Sequence, residues 1–408
     1  MSLDKVKVSV GDLKKGMFVA DLDRPWLDTP FPFQGFIVTH EDIPRLAQYC
    51  RAVYIDVEKS EEAERPSLGS LEKVKPSSDV LFDKKRQIVY QRTASRDDEL
   101  KVAKHTYDGM QNAYDKLIVD VATNKKINIP QLKQAIVPMV DSVIRNPDAL
   151  ILLTRLKSID AYAYLHAMSC AVLAVAMGRH IGLPKTMLQE LALGAALFDI
   201  GRARINHELL TRPRRLSDDE MVEVRKHVDY AVEMVKRNGH ISASAVHMIE
   251  THHERHDGSG YPEGLKGEEI PLFGRIAGIV DCYDAITTTR PHAKPVSPDE
   301  AIRLLYQWRD IDFQGAIIEQ FIQVIGIYPV GTIVQLSDGR VGIVVAQHLE
   351  ARLRPVVMVL MESDKQLLDD YYEFDMRKHT SGHNGQALSI SHSLSPGSYG
   401  IDPAEYFI

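Results

Sequence analysis

The segment Thr251-His252-His253-Glu254-Arg255-His256-Asp257-Gly258-Ser259-Gly260-Tyr261-Pro262 decides how this 408-residue chain is read. Two adjacent histidines end a helical pattern, and a glycine-rich turn closed by proline follows. Neighbours on a helix point about 100° apart, so both imidazoles reach one site only where metal or backbone lies to either side. Working outward, other potential metal ligands recur at long intervals. His166, Asp199 and His227 precede the pair and Asp281 follows it, in steps of 25 to 33 residues. Each step is about one helix plus its connection, the spacing by which a helical bundle aims one or two ligands per helix at a shared centre. Imidazole nitrogen with carboxylate oxygen suits Fe, Mn, Zn or Ni rather than Ca, which prefers all-oxygen cages. Taken singly, His166 between Leu165 and Ala167 reads better as a hydrogen-bonded core residue than as a ligand. Asp199, inside Leu197-Phe198-Asp199-Ile200-Gly201, is costly to bury without a cation or donors.

The ligand-bearing third, residues 156–326, is dense in helix signals. Ser217 with Glu220 makes a capping box ahead of a helix running to about Arg237, and Ser297, Pro298 and Glu300 open another. An all-α bundle is expected there. Residues 1–60 read as a small α/β domain, from the alternation of Val6–Val10, the strand-like Gly35–Val38 and Ala52–Ile55, and the helical period of His40–Cys50. A polar, turn-rich linker is expected at 61–96. Amphipathic connecting helices follow at 97–155, over Asp97–Val121 and Gln131–Ile144, the second kinked or interrupted at Pro138. Past Gly326, Thr332–Leu336, Val341–Ala346 and Val356–Leu360 alternate like a short antiparallel sheet, a β extension at 327–375. Residues 376–408, rich in Ser, Gly and His, read as a flexible tail. The expected class is α+β, mainly α-helical.

Composition bounds the function. Hydrophobic residues are 44% and charged residues 26%, an ordinary globular balance. The formal net charge of -7 argues against a protein that wraps a DNA or RNA polymer electrostatically. No apolar run approaches the roughly 18 to 20 residues of a membrane helix, and the N-terminus lacks the apolar core of a signal peptide, so no membrane and a cytoplasmic location are expected. Cys50, Cys170 and Cys282 lie far apart with no CxxC pair, which supports neither a disulfide framework nor a cysteine zinc site.

The longer stretch HHERHDGSGYPEGLKGEEIPLFGRIAGIVDCYDAITTTRP, from His252 to Pro291, resembles the signature of the HD-GYP domains, a bacterial subgroup of the HD phosphohydrolases. The resemblance covers 156–326. It implies an HD-type helical bundle that hydrolyses cyclic di-GMP to the linear dinucleotide or to GMP, in bacterial second-messenger signalling. It also implies one or two divalent transition-metal ions, Fe or Mn ahead of Zn or Ni. Carried over residue by residue, it implies His166, Asp199, His227, His252, His253 and Asp281 as metal ligands, with Asp199 bridging and taking part in catalysis. Gly260 and Tyr261 match the loop that lines the substrate site, and Arg290 matches an arginine that meets a phosphate. Two further residues are read as substrate contacts. Asp284 shares a helix face with Asp281 and is placed to receive a hydrogen bond from a ligand or meet Arg290, and Lys294 is placed to reach a phosphate.

The chain departs from the family pattern at four positions, one of them Ala293, where many members have a basic residue. Phe198 stands where the family has the histidine of its His-Asp pair. Arg202 stands where it has a lysine, keeping the charge and a catalytic position but not the shape. Tyr162 stands where three-metal members supply a glutamate. A three-metal centre is therefore not expected: one ion keeps Asp199, His227, His252 and His253, and the other retains only His166, Asp199 and Asp281. The basic stretch Arg202, Arg204, Arg212, Arg214 and Arg215 reads equally as an attractor of an anionic dinucleotide or as a solvated loop. Cyclic di-GMP is the implied ligand, a diguanylate cyclase or other signalling protein a candidate partner, and a homodimer is left open. Hydrolysis stands slightly ahead of the alternative, a module that binds cyclic di-GMP or a partner without cleaving.

Overall fold

The structure, a computed structural model, describes residues 5–23, 29, 31, 36–56, 60, 87–123, 125–155, 162–212, 214, 216–288, 295–348, 351, 353–379, 381–382, 387–395, 397–401 and 403–406. They fall into two compact units, residues 1–84 with 348–353, and residues 85–347 with 354–408. In the first unit, β1 (Lys5–Ser9), β2 (Phe18–Leu22), β3 (Phe36–Ile37) and β4 (Ala52–Asp56) form an antiparallel sheet in the order β1-β4-β2-β3, with α1 (Asp42–Tyr49) between β3 and β4. The period-2 alternation puts Val6 and Val8 of β1 and Val53 and Ile55 of β4 in its core. None of the expected site residues belongs to this unit.

The second unit opens with α2 (Arg96–Ala122), α3 (Ile129–Arg145) and α4 (Pro147–Arg155). The helix α3 runs through Pro138 without a break. Next come α5 (Tyr162–His180) and α6 (Lys185–Leu197). Residues Ala167–Met177 of α5 are buried on every face, as suits the central helix of a bundle, and α5 packs against α4, α6 and α11 (Leu272–Thr287). The expected capping box at Ser217 opens a helix, but that helix is α8 (Asp218–Arg225) and not a run to Arg237. The chain breaks at Lys226 and restarts as α9 (His227–Asn238), followed by α10 (Ala243–Thr251). The short α7 (His207–Thr211) precedes α8, and α12 (Pro298–Gln307) and α13 (Gly315–Ile325) close the bundle. Among the described residues no helix is long and apolar enough to cross a membrane.

The expected β extension is β5 (Ile333–Leu336), β6 (Val341–Ala346) and β7 (Val356–Met361), joined by two strands that alternation missed. One is β8 (Leu367–Asp375), an edge strand exposed along most of its length, and the other is β9 (Ile390–Leu394). The sheet order is β8-β7-β6-β5-β9. The segment expected as a flexible tail is therefore corrected: β9 pairs with β5, and Leu388 and Ile401 are buried in the two apolar clusters that cover the sheet's faces. Backbone pairing and two buried apolar side chains outweigh the polar composition.

The buried Ile401 gives a direct check. Ile401→Ala should destabilise the second unit by about 2 to 5 kcal/mol in denaturant unfolding, as for other fully buried isoleucines. A change below about 0.5 kcal/mol, usual for surface positions, would return this segment to the status of a mobile tail.

Candidate metal centre

Asp199 stands where α6 ends. Leu197 is its last helical residue, and Asp199 caps a single 3-10 turn, Ile200–Arg204. This turn packs directly on the start of α9. A Cβ at residue 201 would come within 1.9 Å of the His227 carbonyl oxygen, so only glycine allows the approach. That approach sets the first imidazole of α9 against the Asp199 carboxylate.

His252 follows the last residue of α10 and His253 comes next, where the chain leaves the helix. The loop beyond them is latched by Glu254, a residue the sequence reading passed over. Its buried carboxylate accepts from the backbone N–H groups of Glu263 (2.8 Å), Gly264 (3.1 Å) and Leu265 (3.0 Å). Three donors on one carboxylate fix the loop as a unit. Gly260 has no room for a side chain, since a Cβ would meet the backbone of His253, Glu254 and Arg255 at 2.4 to 2.5 Å. With that contact made, Tyr261 donates its N–H to the His253 carbonyl at 3.2 Å, and its ring stacks on the His253 ring at 4.7 Å.

Six side chains from five parts of the bundle converge. Asp199 Oδ1 lies 3.3 Å from His227 Nε2 and 3.8 Å from His252 Nε2, while Oδ2 lies 3.5 Å from His166 Nε2. His166 Nε2 is also 3.1 Å from Asp281 Oδ1, and His253 Nδ1 is 3.8 Å from Asp281 Oδ2. Asp199, His227, His252 and His253 form one group whose ligand atoms lie within 4.8 Å of one another, and His166, Asp199 and Asp281 form another. A third group of that kind is His166, Cys170 and Asp284.

The hydrogen bonds test whether a cation fits. His227 Nδ1 donates to the Val224 carbonyl and His252 Nδ1 to the Ile249 carbonyl, each at 2.8 Å. A carbonyl only accepts, so both rings carry a proton on Nδ1, and the two Nε2 atoms face each other 3.4 Å apart. Unprotonated, the two would repel beside a carboxylate unless a cation joined them. His253 Nε2 is likewise buried without a hydrogen-bond partner among the described residues. Burial pushes the His227 imidazole down to about 4 and holds His253 well below its ordinary value, so both are neutral donors at neutral pH. Burial alone would raise the Asp199 carboxyl, but Arg202, His252 and His227 together hold it well below the usual carboxylate range. Neutral imidazoles around an ionised carboxylate are the donor set a divalent transition metal takes.

The second group differs. His166 is clamped at both ring nitrogens by α11, with Asp281 on the Nε2 side and Asp284 accepting from Nδ1 at 2.7 Å. Burial disfavours charge on this imidazole, yet Cys170, Asp281 and Asp284 raise its pKa well above the ordinary value. The Cys170 thiol is itself pushed up to about 12 by burial and stays protonated at neutral pH, so there the two carboxylates supply the effect. Of the expectations for Asp284, the hydrogen bond from a ligand is the one the structure shows, and with it the reading as a substrate contact gives way. Asp284 is 3% exposed and faces back towards α5, so it positions His166, and Arg155 Nη1 lies 3.7 Å from its other oxygen.

Phe198 is fully buried and stacks on His252 at 4.6 Å and 14°, with its edge towards His166 at 6.0 Å. An apolar ring thus lies between the two groups, and nothing in it can donate to a metal. Arg202 places Nε 2.8 Å from Asp199 Oδ1. The described members of the rest of the basic stretch have carboxylate neighbours, Arg212 and Arg214 sharing one. Arg204 pairs with Glu233, and Arg212 and Arg214 with Glu220. Arg215, Arg290, Lys294 and the Tyr162 side chain lie outside the described residues.

Comparison with known proteins agrees with this geometry. The HD domain family matches residues 151–314, a domain of unknown function matches 5–132, and a KOW domain associated with HD domains matches 333–384. The cyclic di-GMP phosphodiesterase PA4108 of Pseudomonas aeruginosa is 32% identical over 360 residues, which is 88% of this chain and 85% of that one. The chain belongs to the HD-GYP family. Within shorter spans, the cyclic di-GMP phosphodiesterase response regulator RpfG of Xanthomonas campestris is 33% identical, over 40% of this chain and 42% of its own. A 3'3'-cGAMP-specific phosphodiesterase of Vibrio cholerae is 29% identical, over 39% of this chain and 30% of its own. As an HD-GYP protein the chain is metal-dependent, and its His/Asp cluster is where an ion fits.

Proton linkage separates the two groups. Protons compete with metal only below a ligand's pKa, so His227 and His253 should take up manganese without releasing a proton at pH 7, whereas uptake at His166 should displace its proton. Calorimetric titration in buffers of different ionisation enthalpy reads this. Equal release at both steps would contradict the assignment. As pH falls, the His227 ligand should stay available to about pH 5 and be lost to protonation towards 4, taking metal affinity with it. Restoring the missing donor with Phe198→His should raise metal content towards two ions per chain, and unchanged content would show that more than one residue separates the second group from a full site.

Proposed function

We propose that this protein is a metal-dependent phosphodiesterase that hydrolyses cyclic di-GMP, to the linear dinucleotide or onward to GMP. The observation that carries this reading is the Asp199 carboxylate, with one oxygen turned to His227 and His252 and the other to His166, in a chain that aligns over 88% of its length with a named cyclic di-GMP phosphodiesterase. His227, His252, His253 and Asp199 would hold one ion, and His166, Asp281 and the shared Asp199 the other. Fe or Mn is our choice, because the donor set mixes nitrogen with carboxylate oxygen and contains no thiolate. Two bound divalent ions supply Lewis acidity, lowering the pKa of a water and offsetting charge on the phosphate.

The chain's own residues supply the rest. Asp284 fixes the His166 ring, and the Val224 and Ile249 carbonyls fix those of His227 and His252, so each lone pair is preset. Arg202 holds a permanent positive charge against Asp199, where a phosphate oxygen can exchange with the carboxylate as its partner. Tyr261 walls the site beside His253, and Arg290 and Lys294 are proposed phosphate contacts. A diguanylate cyclase, another signalling protein or a second copy of the chain is the partner we would seek, in the cytoplasm. A binding module that does not cleave is the weaker reading, since Phe198 removes one donor while three remain around the second ion.

The test is turnover. Protein stripped with chelator and reloaded with Mn or Fe should convert cyclic di-GMP to linear product, resolved by chromatography, and the stripped protein should not. Running 3'3'-cGAMP beside it reads base preference, with cyclic di-GMP expected to be the faster substrate. Absence of product from both dinucleotides with either metal would overturn the reading.

A further inference from the structure

We propose that Arg225 is a substrate-binding residue that grips the second phosphate of the cyclic dinucleotide from over the Tyr261 ring. This rests on the phosphodiesterase reading. Arg225 is the last residue of α8, two positions ahead of His227, and its side chain is exposed. Its guanidinium carbon lies 4.7 Å from the centre of the Tyr261 ring. The His253 ring stacks on Tyr261 at the same 4.7 Å. Tyr261 thus links the Arg225 guanidinium to the ring of a candidate ligand. The planar groups continue inward from His253 to His252 at 4.1 Å and from His252 to Phe198 at 4.6 Å. Arg225 is the solvent-side end of a column whose inner members belong to the metal centre.

Charge picks out this arginine from its neighbours. Arg202, Arg204, Arg212 and Arg214 each have a carboxylate partner, whereas Arg225 has none among the described residues. A guanidinium lying over an aromatic ring uses its face for that contact and keeps its N–H donors in the plane, free to bind at the edge. A planar fork of donors beside a metal centre matches two oxygens of a phosphodiester. The substrate carries two such groups. With one at the ions, the other needs a cation a short way off, and Arg225 stands two rungs from the His253 ring. The Tyr261 contact also orients the arginine before substrate arrives, which reduces the ordering cost of binding.

Arg225→Ala, Arg225→Gln and Arg225→Lys, each loaded with manganese, provide the test. Alanine and glutamine should raise the KM for cyclic di-GMP by roughly 10 to 150-fold, more than they change kcat, while metal content stays at the wild-type level. Lysine, which keeps the charge but loses the fork, should recover part of the loss. A KM within about twofold of wild type in the alanine variant would overturn the proposal. If alanine instead loses metal, and glutamine with its metal retained shows wild-type KM, Arg225 braces Tyr261 without binding substrate and the proposal also fails. Wild-type protein that neither binds nor cleaves cyclic di-GMP is a separate result, and it removes the phosphodiesterase reading and this proposal together.

Discussion

One half-buried carboxylate organises the second unit. Asp199 is ionised, lies within 4 Å of three imidazoles and an arginine, and belongs to both ligand groups. A carboxylate in such a place costs several kcal/mol unless cations or donors surround it. The neighbouring elements are arranged to supply them. The 3-10 turn that carries Asp199 packs on α9 through Gly201, α10 ends at His252 and His253, and α5 and α11 bring His166 with Asp281.

The two sides of Asp199 are prepared differently. Towards His227 and His252 both Nδ1 atoms donate to backbone carbonyls and both Nε2 atoms turn to the Asp199 carboxylate, where a cation would be held. Towards His166 the ring is a cation already, held between two acids of α11. The protein thus stores a proton where the second ion would go. Phe198 reinforces the asymmetry, because it contributes packing to His252 and no donor to either side. A strong first site and a labile second site follow from the same few residues.

Much of this was legible in the sequence. Ligands 25 to 33 residues apart announced a helix per ligand, and the bundle delivers them that way. The capping signals at Ser217 and Ser297 placed helix starts correctly, since a cap is a local interaction. Helix ends proved harder to read: the break at Lys226 leaves no mark in the sequence, whose helical period continues through it. The strand β8 escaped notice because an exposed edge need not alternate, and β9 because its polar Ile390–Leu394 looks like a tail until β5 pairs with it. Asp284 was placed on the right helix face, but i,i+3 spacing does not reveal that two acids straddle one imidazole ring. Glu254 and Arg225 carried no signal beyond being charged residues near a loop and at a helix end.

The dependence of both groups on one residue is tested most directly by metal analysis of Asp199→Ala beside the wild type, each purified without chelator and reloaded with manganese. The account predicts that the wild type retains at least one ion per chain and that the variant, folded by circular dichroism, retains essentially none, because each group loses a ligand at once. A folded Asp199→Ala protein with wild-type metal content would contradict it.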